Sequence, residues 1–373
     1  MREDYIRTEQ LAVGYGSQVL IRQIELHVKR GQIVTLIGPN GSGKSTILKS
    51  IIRHIRPLGG AVCLDGRSMK DMTEREIGRR MSILMTDRVR PEAMTCREVA
   101  AAGRYPHTGR FGILSREDRK KVDEALALVQ ASDLADQEFA RVSDGQKQRV
   151  LLARAICQEP EAIVLDEPTS FLDIRHKLEL LEILKELVQK RRVAVLMSLH
   201  ELDLAQKISD YVVCVNRGAV ERCGTPEEIF TPDYMERLYG IAARRFNGSF
   251  CSAELEPAAG KPEVFVIGGN GSGIPVYRRL QRQGIPFAAG VLHENDGEYP
   301  VARALAARVI AERPFEPISR EAFEEASRIL QTCSQVICCL TEFGTMNEKN
   351  RQLARLGEEQ NRRRGRTEEE NRT

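Results

Sequence analysis

The sequence predicts an α/β fold in two domains. Short apolar runs rich in valine and isoleucine alternate with longer helical stretches, a pattern typical of strands buried on both faces of a mainly parallel sheet. These runs are IVTLIG, EAIVLD, VAVLMSLH and DYVVCVN. The pattern relaxes after Tyr239, and a second alternation of strands and helices begins at Glu263. The chain has 373 residues, whereas single hydrophobic cores stop growing near ~250–300.

Composition excludes several classes of protein. Hydrophobic residues make up 42% and charged residues 29% of the chain, and no apolar run approaches the ~18 residues that a membrane span needs. The charged start, MREDYIRTEQ, does not resemble a secretory signal, so a cytoplasmic location is expected. The nine cysteines form no zinc-like spacing, and a net charge of +3 does not favour nucleic-acid binding.

A glycine-rich segment, GPNGSGKST, lies between the apolar run IVTLI and a helical stretch. This is the context of a P-loop, in which backbone N–H groups cradle phosphates, Lys44 reaches the β and γ oxygens and Ser45 ligates Mg²⁺. Glycines allow the backbone to approach the phosphates closely. The predicted ATP-binding residues here are Gly38, Pro39, Asn40, Gly41, Ser42, Gly43, Lys44, Ser45 and Thr46.

Two adjacent carboxylates follow the apolar run AIVL. At the carboxyl end of a buried strand, Asp166 can hold the Mg²⁺ shell and Glu167 can polarise the attacking water. Without other evidence, this pair would indicate two exposed acidic residues at the end of a strand. Its combination with the P-loop favours catalysis instead.

The segment RVSDGQKQRVLLARAI resembles the signature of ABC ATPases, with Val142–Gln146 in place of the usual LSGGQ. The resemblance implies that Ser143, Gly145 and Gln146 of one subunit face the ATP bound by Lys44 of another, and therefore a dimer with two shared sites. Asp144 replaces a glycine, and its charge is expected to point away from the phosphate.

The other family elements follow in order along the chain. Tyr15 resembles the aromatic residue that stacks on adenine, although a plain strand-turn tyrosine is the alternative. Asp173 resembles the loop residue near the dimer interface, and His200 the switch histidine that contacts the γ-phosphate and acts in catalysis beside Glu167 and Lys44. The family's usual glutamine is missing after MSILM. Three alternatives follow: Thr86 hydrogen-bonds the water, Asp87 reaches the metal shell, or hydrolysis is slower.

The segment Thr95–Leu126 resembles the helical insertion of importer ATPases for ferric siderophores, haem and cobalamin, because it contains the stretch Gly103–His107. A membrane permease is expected to dock on it, although an ordinary surface loop is the alternative. The candidate contact residues are Arg104, Tyr105, Arg110 and Phe111.

The expected organisation is an ABC-type P-loop NTPase cassette followed by a small Rossmann-like α/β domain. The cassette covers residues 1–255, with a small antiparallel sheet and an insertion at about 88–150, and the linker covers 256–262. The small domain covers 263–357 and a disordered charged tail 358–373.

The small domain contains a second glycine-rich turn, Val266–Pro275, which lacks the P-loop lysine. Its backbone amides can bind an anion, and Asp296 follows the second strand, where a ribose or base contact can occur. Regulatory small-molecule binding, dimer stabilisation and no separate role all remain open for this domain.

The sequence thus predicts the ATP-hydrolysing subunit of an importer for an iron complex, a ferric siderophore, with ATP and Mg²⁺ as cofactors. Expected partners are a second ATPase subunit, permease subunits and, indirectly, an extracytoplasmic substrate-binding protein, at the cytoplasmic face of the membrane. A cobalamin or haem importer, and a soluble ATP-driven regulatory switch without a permease, are the alternatives.

Overall fold

The computed structural model describes residues 4–85, 93–109, 111–248 and 251–370. The chain forms two compact units, Met1–Phe230 and Thr231–Thr373. The division lies ahead of the predicted linker at 256–262, because Glu236 accepts the backbone N–H groups of Arg245 and Phe246 and so holds the helix after residue 231 to the segment that follows it. Within the described residues, no helix is both long and apolar enough to span a membrane.

The first unit contains two sheets. Its strands are Asp4–Tyr15 (β1), Gln18–Ile24 (β2), His27–Lys29 (β3), Ile33–Ile37 (β4), Gly59–Leu64 (β5), Arg67–Ser68 (β6), Met81–Leu84 (β7), Ala162–Asp166 (β8), Ala194–Ser198 (β9), Tyr211–Asn216 (β10) and Ala219–Gly224 (β11). The order β2-β1-β5-β6, with β3 on β1, gives the predicted small antiparallel sheet. The larger sheet, β11-β10-β4-β9-β8-β7, is parallel except for β11.

Every residue of β4, β8 and β9 is buried, as the uninterrupted apolar runs predicted. The helices of this unit are Lys44–Ile51 (α1), Glu74–Arg80 (α2), Cys96–Ala101 (α3), Arg116–Leu128 (α4), Asp144–Cys157 (α5), Ile174–Arg191 (α6), Leu202–Ile208 (α7) and Pro226–Ile229 (α8). Helices α3, α4 and α5 pack on one another and form the helical insertion.

The predicted docking residue Arg104 is buried, so its assignment as an exposed contact is wrong. It lies in the 3-10 helix Ala102–His107 and is 4% exposed. Its guanidinium donates to Asp118 Oδ1 at 2.9 Å, to Glu159 Oε2 at 3.0 Å and to the Cys157 carbonyl at 2.7 Å. Arg104 therefore fastens this turn to α4 and to the end of α5. By contrast, Tyr105 and Phe111 are 75% and 88% exposed, and Arg110 lies outside the described residues.

Replacing Arg104 by alanine is expected to lower the free energy of unfolding by about 3–5 kcal/mol, because the partly buried Asp118 would lose its cation. The Ser115 hydroxyl, followed by Arg104, lowers the pKa of Asp118 to about 2. The stabilisation that ionised Asp118 contributes to the folded state is therefore complete above its ordinary pKa of 3.8. It is lost as the pH falls towards 2. Urea denaturation measures the change. Arg119→Ala, an exposed position on α4, is the control, and an equal loss in both variants contradicts the prediction.

The second unit is doubly wound. Its strands are Phe246–Asn247 (β12), Ser252–Ala253 (β13), Val264–Ile267 (β14), Phe287–His293 (β15), Arg308–Glu312 (β16) and Gln335–Cys338 (β17). Its helices are Pro232–Tyr239 (α9), Ile274–Arg282 (α10), Tyr299–Leu305 (α11), Arg320–Thr332 (α12) and Glu348–Glu370 (α13). The parallel sheet has the order β16-β15-β14-β17. One core cluster contains residues of α10 and α11, and another contains residues of α12 and α13.

The predicted disordered tail at 358–373 is helical through Glu370, which corrects the expectation. Two polar side chains of α13 explain the difference. Asn361 accepts the Val336 N–H at 3.1 Å and donates to the Val336 carbonyl at 2.8 Å, and Gln360 donates to the Cys333 carbonyl at 2.7 Å. Side chains of α13 thus pair backbone groups at and just before the outer edge strand β17. These bonds hold α13 in place although it has few hydrophobic residues.

Candidate functional site

The glycine-rich loop lies between β4 and α1, where the sequence predicted it. Gly38 and Gly43 have φ angles of 146° and 105°, in the region that favours glycine. A Cβ atom on Gly38 would lie 2.0 Å from the Val215 carbonyl oxygen, and one on Gly43 would lie 2.6 Å from Ile21 Cδ1. The loop therefore cannot hold side chains at these two positions without moving its neighbours.

Lys44 begins α1 and is buried beneath the loop. Its ammonium donates to the carbonyl oxygens of Gly38 at 2.8 Å and Pro39 at 3.1 Å. Burial lowers the pKa of Lys44, and the charges of Glu167 and Asp166 oppose this shift. The structure therefore places the ammonium of Lys44 close enough to the carboxylates of Asp166 and Glu167 for their charges to interact.

Asp166 ends β8, beside the last residue of β9, and Glu167 follows it directly. Asp166 Oδ1 accepts the hydroxyl of Ser45 at 3.1 Å and that of Ser198 at 2.7 Å. Ser198 also accepts the N–H of Glu167 at 3.0 Å. The sequence analysis missed Ser198, although its position at the end of a buried strand, two residues before His200, could have indicated it. Strand pairing places Ser198 directly opposite Asp166.

The carboxylate of Glu167 is held by two neighbouring side chains, and its backbone conformation is unusual. Its φ of 48° is unusual for a residue with a side chain, and such conformations persist only where the surroundings enforce them. Nε2 of His200 contacts Oε1, and the hydroxyl of Ser170 donates to Oε2 at 3.3 Å. The carboxylate is consequently fixed at the carboxyl end of β8, near Lys44 and Asp166.

Tyr15 lies beside the same helix. It ends β1, is 55% exposed, and its hydroxyl lies 3.4 Å from the hydroxyl oxygen of Thr46. An exposed aromatic ring next to a phosphate-binding loop can stack on a flat base.

The signature-like segment forms the start of α5. Ser143 is the N-cap: its hydroxyl accepts the Gln146 N–H at 3.3 Å, and the Gln146 side chain accepts the Ser143 N–H at 2.9 Å. Asp144 pairs with Lys147 at 3.3 Å. A Cβ on Gly145 would lie 3.5 Å from Leu172 Cδ2 in the loop after the acidic pair. The start of α5 thus lies apart from Lys44, Asp166 and Glu167, and it contacts the loop that follows Glu167.

The loop after Glu167 leads into α6. Asp173 caps this helix by accepting the His176 N–H at 3.0 Å, and that bond is the main cause of the lowered pKa of Asp173. Thr169 donates to Glu201 at 2.8 Å and fastens the other end of the loop. Thr86 and Asp87, the expected substitutes for the missing glutamine, lie outside the described residues.

The residues fit a nucleoside triphosphate with Mg²⁺. The oxygens of Ser45 and Asp166 are adjacent, and Mg²⁺ prefers oxygen ligands. The buried hydroxyl of Ser42 has no hydrogen-bond partner among the described residues, so a donor remains for a phosphate oxygen. The glycines leave the backbone of the loop uncovered.

The glycine-rich turn of the second unit is built differently. Three of its backbone amide groups are already used by carboxylates: Gly269 and Gly273 donate to Glu298 Oε2 at 3.0 and 2.9 Å, and Asn270 donates to Asp296 Oδ2 at 2.7 Å. The prediction that these amides bind an anion is therefore wrong, because carboxylates of the chain itself occupy them.

Comparison with known proteins gives matches for both units. Residues 21–170 match the family model described as ABC transporter, and residues 287–370 match the model described as the MJ0874 family. An uncharacterized ABC transporter ATP-binding protein of Methanocaldococcus jannaschii is 37% identical over 289 residues, which are 77% of this chain and 99% of that protein.

Two further relatives have named cargo. The iron(3+)-hydroxamate import ATP-binding protein FhuC of Bacillus subtilis is 39% identical over 64% of this chain and 88% of its own length. The cobalamin import ATP-binding protein BtuD of Halobacterium salinarum is 31% identical over 86% of this chain and 82% of its own length.

Among solved structures, an ATP-binding subunit of an ABC transporter has a TM-score of 0.54 at 27% identity and covers 64% of this chain and 94% of its own. A dimeric bacterial ABC transporter cassette also has a TM-score of 0.54, at 25% identity, and covers 59% of this chain and 98% of its own.

Proposed function

Because this chain belongs to the family of ABC transporter ATP-binding proteins, we propose that it energises the import of a ferric siderophore. The chain binds and hydrolyses ATP, as its family does. The similarity to the iron(3+)-hydroxamate import protein is the observation that carries the cargo proposal.

Glu167 is proposed as the general base of hydrolysis. Its carboxylate takes a proton from the water that attacks the γ-phosphate, and the bonds from His200 and Ser170 keep it oriented. His200 is also proposed to hydrogen-bond the γ-phosphate and so to respond when the γ-phosphate leaves. Tyr15 stacks on the adenine ring in this proposal.

The P-loop binds the phosphates. Lys44 leaves the carbonyl oxygens of Gly38 and Pro39 and turns its ammonium to the β and γ oxygens, where it offsets negative charge. Ser45 and Asp166 would hold Mg²⁺, which would supply further charge neutralisation. Either Thr86 or Asp87 would take the place of the family's glutamine.

Two cassettes are proposed to share two ATP sites. Ser143 and the neighbouring Gly145 and Gln146 would contact the γ-phosphate held by the other subunit, with Asp173 near the interface. The start of α5 is the positive end of its helix dipole, which favours an anion. The dimeric structure of a related cassette supports this arrangement.

A membrane permease is the proposed partner at the helical insertion. The exposed rings of Tyr105 and Phe111 would provide apolar anchors there, since aromatic side chains are favoured at interface centres. The chain would then work as a peripheral protein on the cytoplasmic face of the membrane, with an extracytoplasmic substrate-binding protein as an indirect partner.

Cobalamin is the second candidate cargo. The similarity to the cobalamin import protein extends over 86% of this chain, whereas the similarity to the hydroxamate protein covers 64%. The longer alignment reaches beyond the cassette, and this is the observation that keeps cobalamin as the alternative cargo, although the identity is lower.

Uptake of labelled ferric hydroxamate and labelled cobalamin by cells that lack this gene distinguishes the two cargoes. Loss of ferric hydroxamate uptake, restored by the natural gene but not by Glu167→Gln, is the expected result. Loss of cobalamin uptake alone would assign the second cargo. If neither uptake changed, both cargo assignments would be wrong. This outcome would not contradict ATP hydrolysis, which is measured separately on the purified protein.

A further inference from the structure

A cavity of about 350 Å³ opens at the carboxyl ends of β14, β15 and β17 in the second unit. The chain proceeds from β14 to β15 on one side and later adds β17 on the other, so this is the topological switch point of the sheet. Crevices at such points are the usual ligand sites of doubly wound folds. The cassette mechanism does not use this cavity.

The charge of the cavity argues against a phosphate. Its lining contains the carboxylates of Asp296 and Glu342 and, among the described residues that form it, no lysine or arginine. The fully buried Glu298 lies behind the glycine-rich turn, so close that a Cβ on Gly268 or Gly273 would lie 2.0 or 2.2 Å from Oε1. A phosphate would thus meet carboxylates where a dinucleotide site offers free N–H groups.

The remaining groups favour a ligand with hydroxyl donors and an apolar part. Each oxygen of Asp296 accepts one backbone N–H, from Asn270 or Glu298, and keeps a second lone pair. The hydroxyl of Ser272 is buried without a partner among the described residues. Val291 and Leu340 provide apolar walls.

Asp296 lies just after the second strand of this unit. In doubly wound nucleotide sites, an acidic side chain in this region accepts the hydroxyl groups of a ribose. A bound metal ion is a poorer fit, because no group of three or more histidine, cysteine, aspartate or glutamate residues able to hold one occurs among the residues described.

We propose that this cavity binds a nucleoside, with Asp296 accepting hydrogen bonds from the ribose hydroxyl groups, and that it rejects the corresponding nucleotide. The carboxylate of Glu298 fills the place that a phosphate occupies in dinucleotide sites. Ribose and base remain the parts of the ligand that the cavity can hold.

Calorimetric titration of the full chain with adenosine, guanosine, cytidine and uridine, each separately, tests the proposal. The chain carries Tyr15→Ala and Lys44→Ala to suppress binding at the cassette. We expect one of these nucleosides to bind at one site per chain, and its 5′-monophosphate to bind at least tenfold more weakly. The absence of binding by all four nucleosides, or equal affinity for the monophosphate, overturns the proposal.

Two pairs of variants locate the site. Asp296→Asn should weaken binding at least tenfold, whereas Asp233→Asn, at an exposed position of α9, should not change it. Leu340→Trp should fill the cavity and abolish binding, and Leu255→Trp, at an exposed leucine outside the cavity, is its control. Unchanged affinity in folded Leu340→Trp protein would place the ligand elsewhere and contradict the proposal.

Discussion

Glu167→Gln protein is expected to bind ATP but to lose about 10²–10⁴-fold in turnover, the range that a general base contributes. Glutamine keeps the size of the side chain and can still contact Ser170 and His200, but it cannot take a proton from water. The measurement is steady-state phosphate release by purified protein, together with size-exclusion chromatography in ATP. The variant should accumulate as a dimer with ATP bound, because hydrolysis no longer separates the subunits.

Glu182→Gln makes the same chemical change at an exposed position of α6 and should alter turnover less than twofold. A Glu167→Gln protein with near-normal turnover would show that the base is another group. His200→Ala gives a second comparison: its loss of turnover should be smaller, since the proposed role of His200 is to orient the carboxylate and not to accept the proton itself.

The second large effect is expected at Glu298. Its carboxylate is fully buried and accepts three donors: the N–H groups of Gly269 and Gly273 and the hydroxyl of Tyr277. Glu298→Ala leaves these three groups unpaired, and each costs about 1–3 kcal/mol. We expect the second unit to lose about 3–9 kcal/mol of unfolding free energy, measured by urea denaturation and by amide hydrogen exchange in that unit.

Glu298→Gln separates hydrogen bonding from packing. The carboxamide oxygen can accept both glycine N–H groups, and its NH₂ group can donate to the Tyr277 oxygen, so this variant should be markedly more stable than Glu298→Ala. Equal destabilisation by the two substitutions would mean that the volume of the side chain, and not the paired N–H groups, stabilises the turn. ATP turnover should be unchanged in both variants at temperatures where they remain folded.

Local patterns explain how much of the cassette could be predicted. A phosphate-binding loop needs glycines, a lysine and a serine at fixed spacing within one turn, and the structure has Lys44 and Ser45 there, at the start of α1. Asp166 and Glu167 follow a fully buried strand, and the parallel pairing of β8 with β9 brings them to His200. The fold class and the residues around the loop, apart from Ser198, could therefore be predicted from the sequence.

The alternation of strands and helices also predicted that the second unit is a small α/β domain, and its parallel sheet confirms this. The sequence did not determine how its glycine-rich turn is used. Gly273 and its partner Glu298 are far apart in the chain, and a glutamate after a strand has no pattern that marks it as a buried acceptor.

Tertiary structure decided the features that depend on hydrogen bonds between distant segments. It buried Arg104 against Asp118 and Glu159, joined Ser198 to Asp166, and paired the polar helix α13 with the edge of β17. Hydrophobic periodicity reports which face of a segment is apolar, but it carries no information about which polar side chain meets which backbone group. The sequence by itself therefore determined the fold class and the nucleotide-binding loop, whereas packing alone decided which polar and charged residues are buried, because their partners come from other parts of the chain.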